Sequence, residues 1–318
     1  GSRFNSPQPI VVPFCVENYG YKDKLMDISG SIFAAMLTPM KEDGAVAPKA
    51  VAPLVDYVLS KGAHGLYVSG STGESVLQSR EERAEVLTAT AEHARGKCTL
   101  IAHVGAASTQ DATTLASLAG AQGYDAVSAV PPYYYKHNFE DIADYYRAIA
   151  DASGLPLIIY NIPALSGTDL STEKLLELME DDRIVGVKFT AQDLFQFAEL
   201  RKAAPNKKFY FGTDEMFIGA AAIGTDGGIG STYNLIADVY LAVEQAIEAG
   251  DIAEARRQQR KANELIAVLL KVGVVGGLKH ALNRLGVPVG PCRRPFSPLS
   301  EEGIALLNAW LDENCYAG

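Results

Sequence analysis

A lysine, Lys188, stands at the carboxyl end of an apolar run, residues 184–188 (IVGVK), and Tyr160 ends a second such run, residues 155–160 (LPLIIY). Both runs are short and rich in β-branched residues, which is typical of buried strands. No acidic residue lies within the run of Lys188, and charged side chains are seldom fully buried without a partner. Because burial lowers the pKa of an amine, the pattern indicates a Schiff-base lysine beside a phenol. The alternative is a lysine that reaches solvent from a strand edge.

Three further segments place polar side chains directly after predicted strands. Residues 69–74 (SGSTGE) combine adjacent hydroxyls with glycines and exposed backbone N–H groups, which suits a carboxylate or a phosphate. Residues 131–135 (PPYYY) hold three tyrosines that would pack in a core or an interface, or belong to a site. Residues 212–215 (GTDE) end in Asp214 and Glu215, which would cap a helix or accept hydrogen bonds from a polyol.

From residue 30 onward, strand-like and helix-like segments alternate. Eight β-rich runs are predicted as strands: residues 32–37, 65–68, 99–104, 126–130, 156–160, 184–188, 208–211 and 227–230. Amphipathic stretches with helical spacing separate them, for instance residues 80–94, 111–121, 139–152, 172–179 and 193–203. This alternation predicts an α/β protein with a (β/α)8 TIM barrel. An open doubly wound sheet is disfavoured because no dinucleotide fingerprint follows the first strand.

The predicted organisation has three parts. Residues 1–29 lack periodicity and are interpreted as an N-terminal extension or leader segment, in which Met26 is a candidate original start. Residues 30–248 form the barrel. Residues 249–318 form a C-terminal helical appendage packed on it, with helices predicted at 252–270, 274–285 and 300–311 and a proline-rich connector at 288–298. Because the carboxyl ends of barrel strands meet at one face, the polar segments after the strands are expected to converge there.

Composition excludes several classes of function. The chain has 318 residues, of which 48% are hydrophobic, and a formal net charge of −10. An acidic chain without a basic block argues against binding to nucleic acid or to anionic membranes, and no run approaches the roughly 18 apolar residues of a membrane span. The four cysteines (Cys15, Cys98, Cys292 and Cys315) lack CxxC spacing, which predicts reduced thiols and a cytoplasmic location. The five histidines lack metal-ligand spacing, so no metal is expected.

As an ordered set, the motifs resemble the N-acetylneuraminate lyase and dihydrodipicolinate synthase superfamily over residues 30–312. The carriers are residues 70–74 (GSTGE), 160–163 (YNIP), 186–188 (GVK) with Thr190, and 227–231 (GGIGS). The resemblance implies a class I aldolase in which Lys188 forms an imine with the ketone of pyruvate and no separate cofactor is used. It further implies that Ser71 and Thr72 hold the pyruvate carboxylate and that Tyr160 lies over the imine.

The stretch after Tyr160 separates two groups of the superfamily. Synthases of the lysine pathway usually carry an arginine at the position of Leu165, where it binds a substrate carboxylate in bidentate fashion. Residues 160–167 (YNIPALSG) instead resemble the sialic acid lyases. That resemblance implies reversible cleavage of N-acetylneuraminate to N-acetylmannosamine and pyruvate. The residues implied to contact the sugar portion are Thr190, Gly212, Asp214, Glu215 and Ser231.

The resemblance also implies a shared active site. The proton relay would use Tyr160, Ser71 and a tyrosine matching Tyr134 that reaches into the neighbouring subunit, in a homotetramer built from two tight dimers. The segment 272–275 (VGVV) departs from the lyases that carry an aromatic residue at the pocket rim.

Two alternatives stay open at this stage. One is another pyruvate-dependent aldolase of the same scaffold, acting on a keto-deoxy sugar acid or on aspartate semialdehyde. The other is a non-catalytic barrel that binds a keto acid and would need no lysine at position 188. A phosphosugar site at residues 227–230 is weakened because no lysine or arginine lies between Tyr210 and Ala255.

Overall fold

The computed structural model describes residues 28–314, in which eight parallel strands close into a barrel. The strands are β1 (Ile32–Ala35), β2 (Gly65–Val68), β3 (Thr99–His103), β4 (Ala126–Ala129), β5 (Leu157–Asn161), β6 (Ile184–Phe189), β7 (Lys208–Phe211) and β8 (Gly227–Gly230). Each strand pairs with its neighbours in sequence, and β8 closes on β1, where Gly228 lies opposite Ile32. The predicted TIM barrel is therefore confirmed. Cys15, Met26 and Cys315, for which predictions were made above, lie outside the described residues.

Helices connect the strands and continue after the last one. They are α1 (Val51–Ser60), α2 (Arg80–Ala94), α3 (Thr109–Gln122), α4 (Phe139–Ser153), α5 (Pro163–Ser166), α6 (Thr172–Leu178), α7 (Leu194–Ala203), α8 (Phe217–Ile223), α9 (Tyr233–Glu248), α10 (Ile252–Val272), α11 (Val274–Arg284) and α12 (Glu301–Glu313). Every predicted strand and helix is present, with ends that differ by at most two residues. The sequence analysis did not delineate α1, α5, α8 and α9. Helix α9 is kinked at Ile236, whose backbone is not helical.

The strands bury both of their faces, and the two sets of side chains form separate clusters. Inward-pointing side chains fill the barrel interior, among them Phe33, Tyr67, Ile101, Ile158, Tyr210 and Ile229. Outward-pointing side chains pack against the surrounding helices. This two-sided burial explains why the strand segments read as continuous apolar runs rather than as alternating patterns.

The helices that follow the polar segments begin at capping residues. Ser79 accepts a hydrogen bond from the backbone N–H of Glu82 (3.1 Å), and the Glu82 carboxylate accepts one from the N–H of Ser79 (2.9 Å). Asn138 and Asp141 form the same arrangement at the start of α4. Such caps satisfy free N–H groups and typically contribute about 1 kcal/mol each. They fix where the segments after β2 and β4 end.

No single helix among residues 28–314 is long and apolar enough to cross a membrane. Helices α10 and α11 reach that length and apolarity only when taken together, and they are bent by 110° relative to each other. Both contribute buried side chains, such as Leu265 and Leu278, to the outer core.

A buried ion pair fastens the C-terminal helices to the segment after β2. The Lys279 ammonium on α11 lies 2.6 Å from Glu74 Oε1, and both side chains are almost completely buried. Lys279 also donates to the Pro291 carbonyl (2.8 Å), while the backbone N–H of Arg293 donates to Glu74 Oε2 (2.7 Å). Glu74 itself has a left-handed backbone (φ 59°), which is costly for a residue other than glycine. Its conformation is thus held by contacts from more than 200 residues away along the chain.

We expect Lys279→Met to lower the free energy of unfolding by about 3–5 kcal/mol, because it leaves the Glu74 carboxylate buried without its counter-charge. Chemical unfolding monitored by circular dichroism measures the change. Adding Glu74→Gln should recover part of the loss. The matched control is Lys202→Met, which removes an exposed lysine and should change stability by less than about 0.5 kcal/mol. Equal effects of the two lysine substitutions would contradict a structural role for the buried pair.

Candidate functional site

Lys188 lies inside the barrel, near the carboxyl end of β6. Its side chain is only 3% exposed, so the alternative of a solvent-reaching lysine is wrong. The ammonium nitrogen lies 3.9 Å from the ring centroid of Tyr160 and 4.1 Å from that of Tyr67. Tyr160 stands directly opposite Lys188 in the β5–β6 register. The structure therefore places the predicted lysine and phenol together.

Burial is the main influence on the Lys188 amine. It lowers the pKa of Lys188, while the nearby Tyr160 phenol and the charge of Asp214 act in the opposite direction. Because burial dominates, a larger fraction of the amine is neutral near pH 7 than for a lysine in water. A neutral amine is the form that adds to a ketone.

Two further side chains that were not predicted from the sequence, Tyr67 and His103, pack against Tyr160. Tyr67 packs edge-on against Tyr160 with ring centroids 5.8 Å apart, and its hydroxyl donates to Ser128 Oγ (3.0 Å). His103 also meets the Tyr160 ring edge-on, at 5.8 Å. Tyr67 and His103 end or nearly end β2 and β3, just as Tyr160 does in β5, and this shared position was the signal that would have identified them.

His103 is a buried, neutral histidine. Burial and the nearby Arg83 charge hold its pKa well below the usual value. Its Nδ1 lies 2.9 Å from the Ser69 carbonyl, which assigns the N–H to Nδ1, and the backbone N–H of Val130 points at Nε2 (3.4 Å). His103 therefore connects the segments that follow β2 and β4. His103 thus supports the position of the Tyr160 ring, with which it is in edge-on contact.

The segment that carries Ser71 and Thr72 is held rigidly at both ends. Ser69 has a left-handed backbone (φ 62°). The Gly73 carbonyl accepts hydrogen bonds from Thr38 Oγ1 (2.7 Å) and from Gln78 Nε2 (2.6 Å). Ser71 is exposed and Thr72 is half-buried. The two hydroxyls are therefore presented to a ligand at the open end of the barrel on a fixed backbone.

The other side of the site is formed by residues after β6, β7 and β8. The Thr190 hydroxyl is buried and has no hydrogen-bond partner within residues 28–314. Gly212 leaves the space beside it open, since a Cβ there would collide with Thr190 Oγ1 and lie 3.3 Å from Lys188 Cε. An unpaired hydroxyl next to the lysine is available to a bound ligand.

Asp214 is a buried acceptor, and the helix-cap alternative for it is wrong. Its Oδ2 accepts hydrogen bonds from the backbone N–H (3.0 Å) and hydroxyl (2.7 Å) of Thr232, which follows β8, while Ser231 Oγ lies 3.5 Å away. Its Oδ1 has no partner among the described residues. Burial raises the pKa of Asp214, and the Lys188 charge opposes that change. Glu215 is exposed at the rim.

The three consecutive tyrosines divide between the site and the surface. Tyr133 packs against the side chains of the barrel interior. Tyr134 and Tyr135 are 87% and 72% exposed, with their rings edge-to-face at 5.1 Å. Tyr134 has a left-handed backbone (φ 80°), which turns the chain at this point. Tyr134 therefore lies on the surface of the chain and not in the site around Lys188.

The geometry supports one kind of chemistry. A buried amine with a lowered pKa faces two aromatic rings, with fixed hydroxyls on one side and acceptors with unused lone pairs on the other. Residues 28–314 contain no group of three or more His, Cys, Asp or Glu side chains placed to hold a metal ion. The arrangement fits a keto acid that bonds covalently to the lysine and carries hydroxyl groups on its tail.

The comparisons with known proteins agree with this geometry. A model of the dihydrodipicolinate synthetase family matches residues 28–314. The chain is 44% identical over 276 residues to the N-acetylneuraminate lyase of Rhizobium meliloti (strain 1021), covering 87% of this chain and 92% of that one. A structure of N-acetylneuraminate lyase from Fusobacterium nucleatum complexed with pyruvate superposes with a TM-score of 0.86 at 34% identity, covering 92% and 99% of the two chains. A structure of CdNal from Clostridium difficile in complex with mannosamine gives a TM-score of 0.87 at 34% identity, covering 89% and 98%. This chain belongs to the dihydrodipicolinate synthetase family.

Proposed function

We propose that the chain is a class I aldolase that reversibly cleaves N-acetylneuraminate to N-acetylmannosamine and pyruvate. The observation that carries the proposal is the buried Lys188 amine between the rings of Tyr160 and Tyr67. The relatives named N-acetylneuraminate lyase support the choice of substrate, as do the related structures with pyruvate and with mannosamine.

The proposed reaction begins when the neutral Lys188 amine adds to the C2 ketone of the open-chain sugar acid and water leaves. The resulting protonated imine draws electrons toward nitrogen. A base removes the proton of the C4 hydroxyl, the C3–C4 bond breaks, and N-acetylmannosamine leaves as the aldehyde. The enamine left on Lys188 takes a proton at C3, and water then releases pyruvate. The water lost in the first step is regained in the last, and no electrons enter or leave, so the covalent imine needs no redox cofactor.

The residues around Lys188 are assigned roles within this proposal. Ser71 and Thr72 bind the keto-acid carboxylate, since their hydroxyls stand at the open end of the barrel on a fixed segment. Tyr160 moves protons together with Ser71 and Tyr134, and the position of its ring 3.9 Å from the Lys188 nitrogen supports that role. The unpaired hydroxyl of Thr190 contacts the C4 oxygen.

The sugar portion is assigned to the side opposite the carboxylate. Asp214 Oδ1 is an acceptor without a partner, and Glu215 is exposed at the rim, so both carboxylates can accept hydrogen bonds from polyol hydroxyls. Gly212 leaves room for the chain of the sugar beside Thr190. Ser231 lies next to Asp214 and adds a hydroxyl to the same side.

A synthase acting on aspartate semialdehyde is the weaker candidate. That substrate brings a second carboxylate, whereas Leu165 places a 72% exposed apolar side chain where a cation is required. The non-catalytic keto-acid-binding barrel is also weaker, because binding alone would not explain a buried lysine with a lowered pKa.

We expect pyruvate release from N-acetylneuraminate to exceed release from a keto-deoxy sugar acid, and no condensation of pyruvate with aspartate semialdehyde. A coupled assay for pyruvate across these substrates measures the preference. Lys188→Ala should lower kcat by at least about a thousandfold, because it removes the nucleophile, whereas the exposed-lysine control Lys202→Ala should be unaffected. A higher kcat/KM for another keto acid would reject the substrate, and activity in Lys188→Ala would reject the mechanism.

We also propose a homotetramer made of two tight dimers, with Tyr134 entering the partner's site. The support is the exposed pair Tyr134 and Tyr135, since aromatic side chains are enriched at the buried centres of subunit interfaces. The left-handed backbone at Tyr134 supports the same assignment, because strained residues are retained where function requires them.

The shared site predicts complementation between two inactive variants. In a hybrid dimer of Lys188→Ala and Tyr134→Phe subunits, the second subunit's Lys188 meets the first subunit's intact Tyr134, so one site is restored. Random pairing at equal amounts should therefore recover about a quarter of wild-type activity. The control mixture replaces the first variant by the double variant Lys188→Ala/Tyr134→Phe and should recover none. No recovery in the first mixture, or a fully active monomer in sedimentation, would refute the shared site.

We propose a cytoplasmic location for the enzyme. Cys98 and Cys292 are both free thiols in the structure. Burial raises the pKa of each to about 11, so both stay protonated and weakly reactive at neutral pH. This is the state expected for cysteines in a reducing compartment.

A further inference from the structure

Arg83 is a buried cation without a carboxylate partner in the described part of the chain. It lies on α2, and its side chain is only 5% exposed. The guanidinium donates to Ser69 Oγ (3.0 Å), to the Gly105 carbonyl (2.9 Å) and to the His103 carbonyl (2.7 Å). All three acceptors are uncharged oxygens. Within residues 28–314, no carboxylate lies within ion-pair distance of this guanidinium.

The contrast with Lys279 shows that this arrangement is unusual for the chain. Lys279 is equally buried, but the Glu74 carboxylate lies 2.6 Å from its ammonium. Asp111 acts on Arg83 only weakly from farther away, and its carboxylate is paired with Arg80 at 3.1 Å. A guanidinium stays protonated even when burial lowers its pKa. An unpaired buried charge is costly to a fold, so stability does not explain Arg83.

The guanidinium lies directly behind the segment that presents Ser71 and Thr72. It donates to the side chain of Ser69, which stands two residues before Ser71 and has a left-handed backbone. Its other two contacts tie the same segment to the end of β3 and to the residues that follow. Because the guanidinium is buried, water screens its charge less than it would screen the charge of a surface arginine.

We propose that Arg83 is a positioning residue for the keto-acid carboxylate, which supplies the negative charge that residues 28–314 do not place beside the guanidinium. The inference rests on the proposed function, in which a keto acid binds as an imine on Lys188. Arg83 adds no chemical step and does not touch the ligand. It attracts the carboxylate toward the hydroxyls of Ser71 and Thr72, while its own hydrogen bonds fix the guanidinium behind that segment.

The test separates the charge of Arg83 from its hydrogen bonds by varying the charges of the residue and of the ligand together. Arg83→Gln removes the charge, whereas Arg83→Lys keeps the charge but cannot form all the hydrogen bonds of the guanidinium. The two ligands are pyruvate and its uncharged methyl ester, each titrated and trapped as a reduced imine with borohydride. The matched control is Arg80→Gln, one turn earlier on α2, which removes an arginine already paired with Glu81 and Asp111.

We expect Arg83→Gln to raise the apparent Kd for pyruvate about tenfold, the size of an interaction between two separated charges in the partly screened surroundings of a protein, and to leave that of the ester within about twofold. Arg83→Lys should keep the wild-type ratio of pyruvate to ester affinity, and Arg80→Gln should match the wild type for both. In turnover, Arg83→Gln should raise KM more than it lowers kcat.

An equal loss of affinity for both ligands in Arg83→Gln would overturn the inference, because it would show a purely structural role. If Arg83→Gln does not fold, the test uses Arg83→Lys. A ratio of pyruvate affinity to ester affinity that is lower in this variant than in the wild type would contradict the role of the charge. If the wild-type chain traps pyruvate on Lys188 but Arg83→Gln keeps the wild-type ratio, only the inference fails. If the wild type traps neither ligand, the proposed function fails and the inference fails with it.

Discussion

The structure depends on keeping one amine, that of Lys188, inside a closed barrel and away from water. Barrel closure sets Lys188 opposite Tyr160 on β5 and opposite Tyr210 on β7. Burial lowers its pKa, and the rings of Tyr67 and Tyr160 lie about 4 Å from the amine nitrogen. The remaining features of the site are arranged around this amine, because the hydroxyls and carboxylates stand on segments that follow other strands at the same barrel face.

The charges near the amine act against one another. Burial drives both Lys188 and Asp214 toward their neutral forms, while each favours the charged form of the other. In the mechanism proposed above, imine formation places a positive charge on the lysine nitrogen, where the Asp214 carboxylate already acts. In the same proposal, the Arg83 guanidinium, which donates to Ser69, acts on the carboxylate of the bound keto acid. The proposed site would thus offer a cation toward the acid end of the ligand and acceptors toward its hydroxyl end.

Much of the fold was predictable because buried parallel strands read as short apolar runs. Helix α9 was harder to delineate, since more than half of its residues are buried and it is kinked at Ile236. Lys188 and Tyr160 were identified from their places at the ends of such runs. Contacts between distant segments were not predictable, because they form only once the barrel has closed. They include the Glu74–Lys279 ion pair, the Asp214–Thr232 hydrogen bonds and the hydrogen bonds of the Arg83 guanidinium. The position of Tyr134 on the surface likewise required the structure.

The most direct test of the central claim is to trap the pyruvate imine with borohydride over a range of pH and to map the adduct by mass spectrometry. We predict one reduced pyruvate per subunit, on Lys188. Because its pKa is lowered, the trapping rate should reach half its maximum at a pH below 10.5, the value for an unperturbed lysine. In Asp214→Asn, the pH at which the trapping rate reaches half its maximum should be lower still, since Asp214 raises the pKa of Lys188. No adduct, an adduct on another lysine, or a trapping rate that follows the pH dependence of a lysine in water would contradict the account.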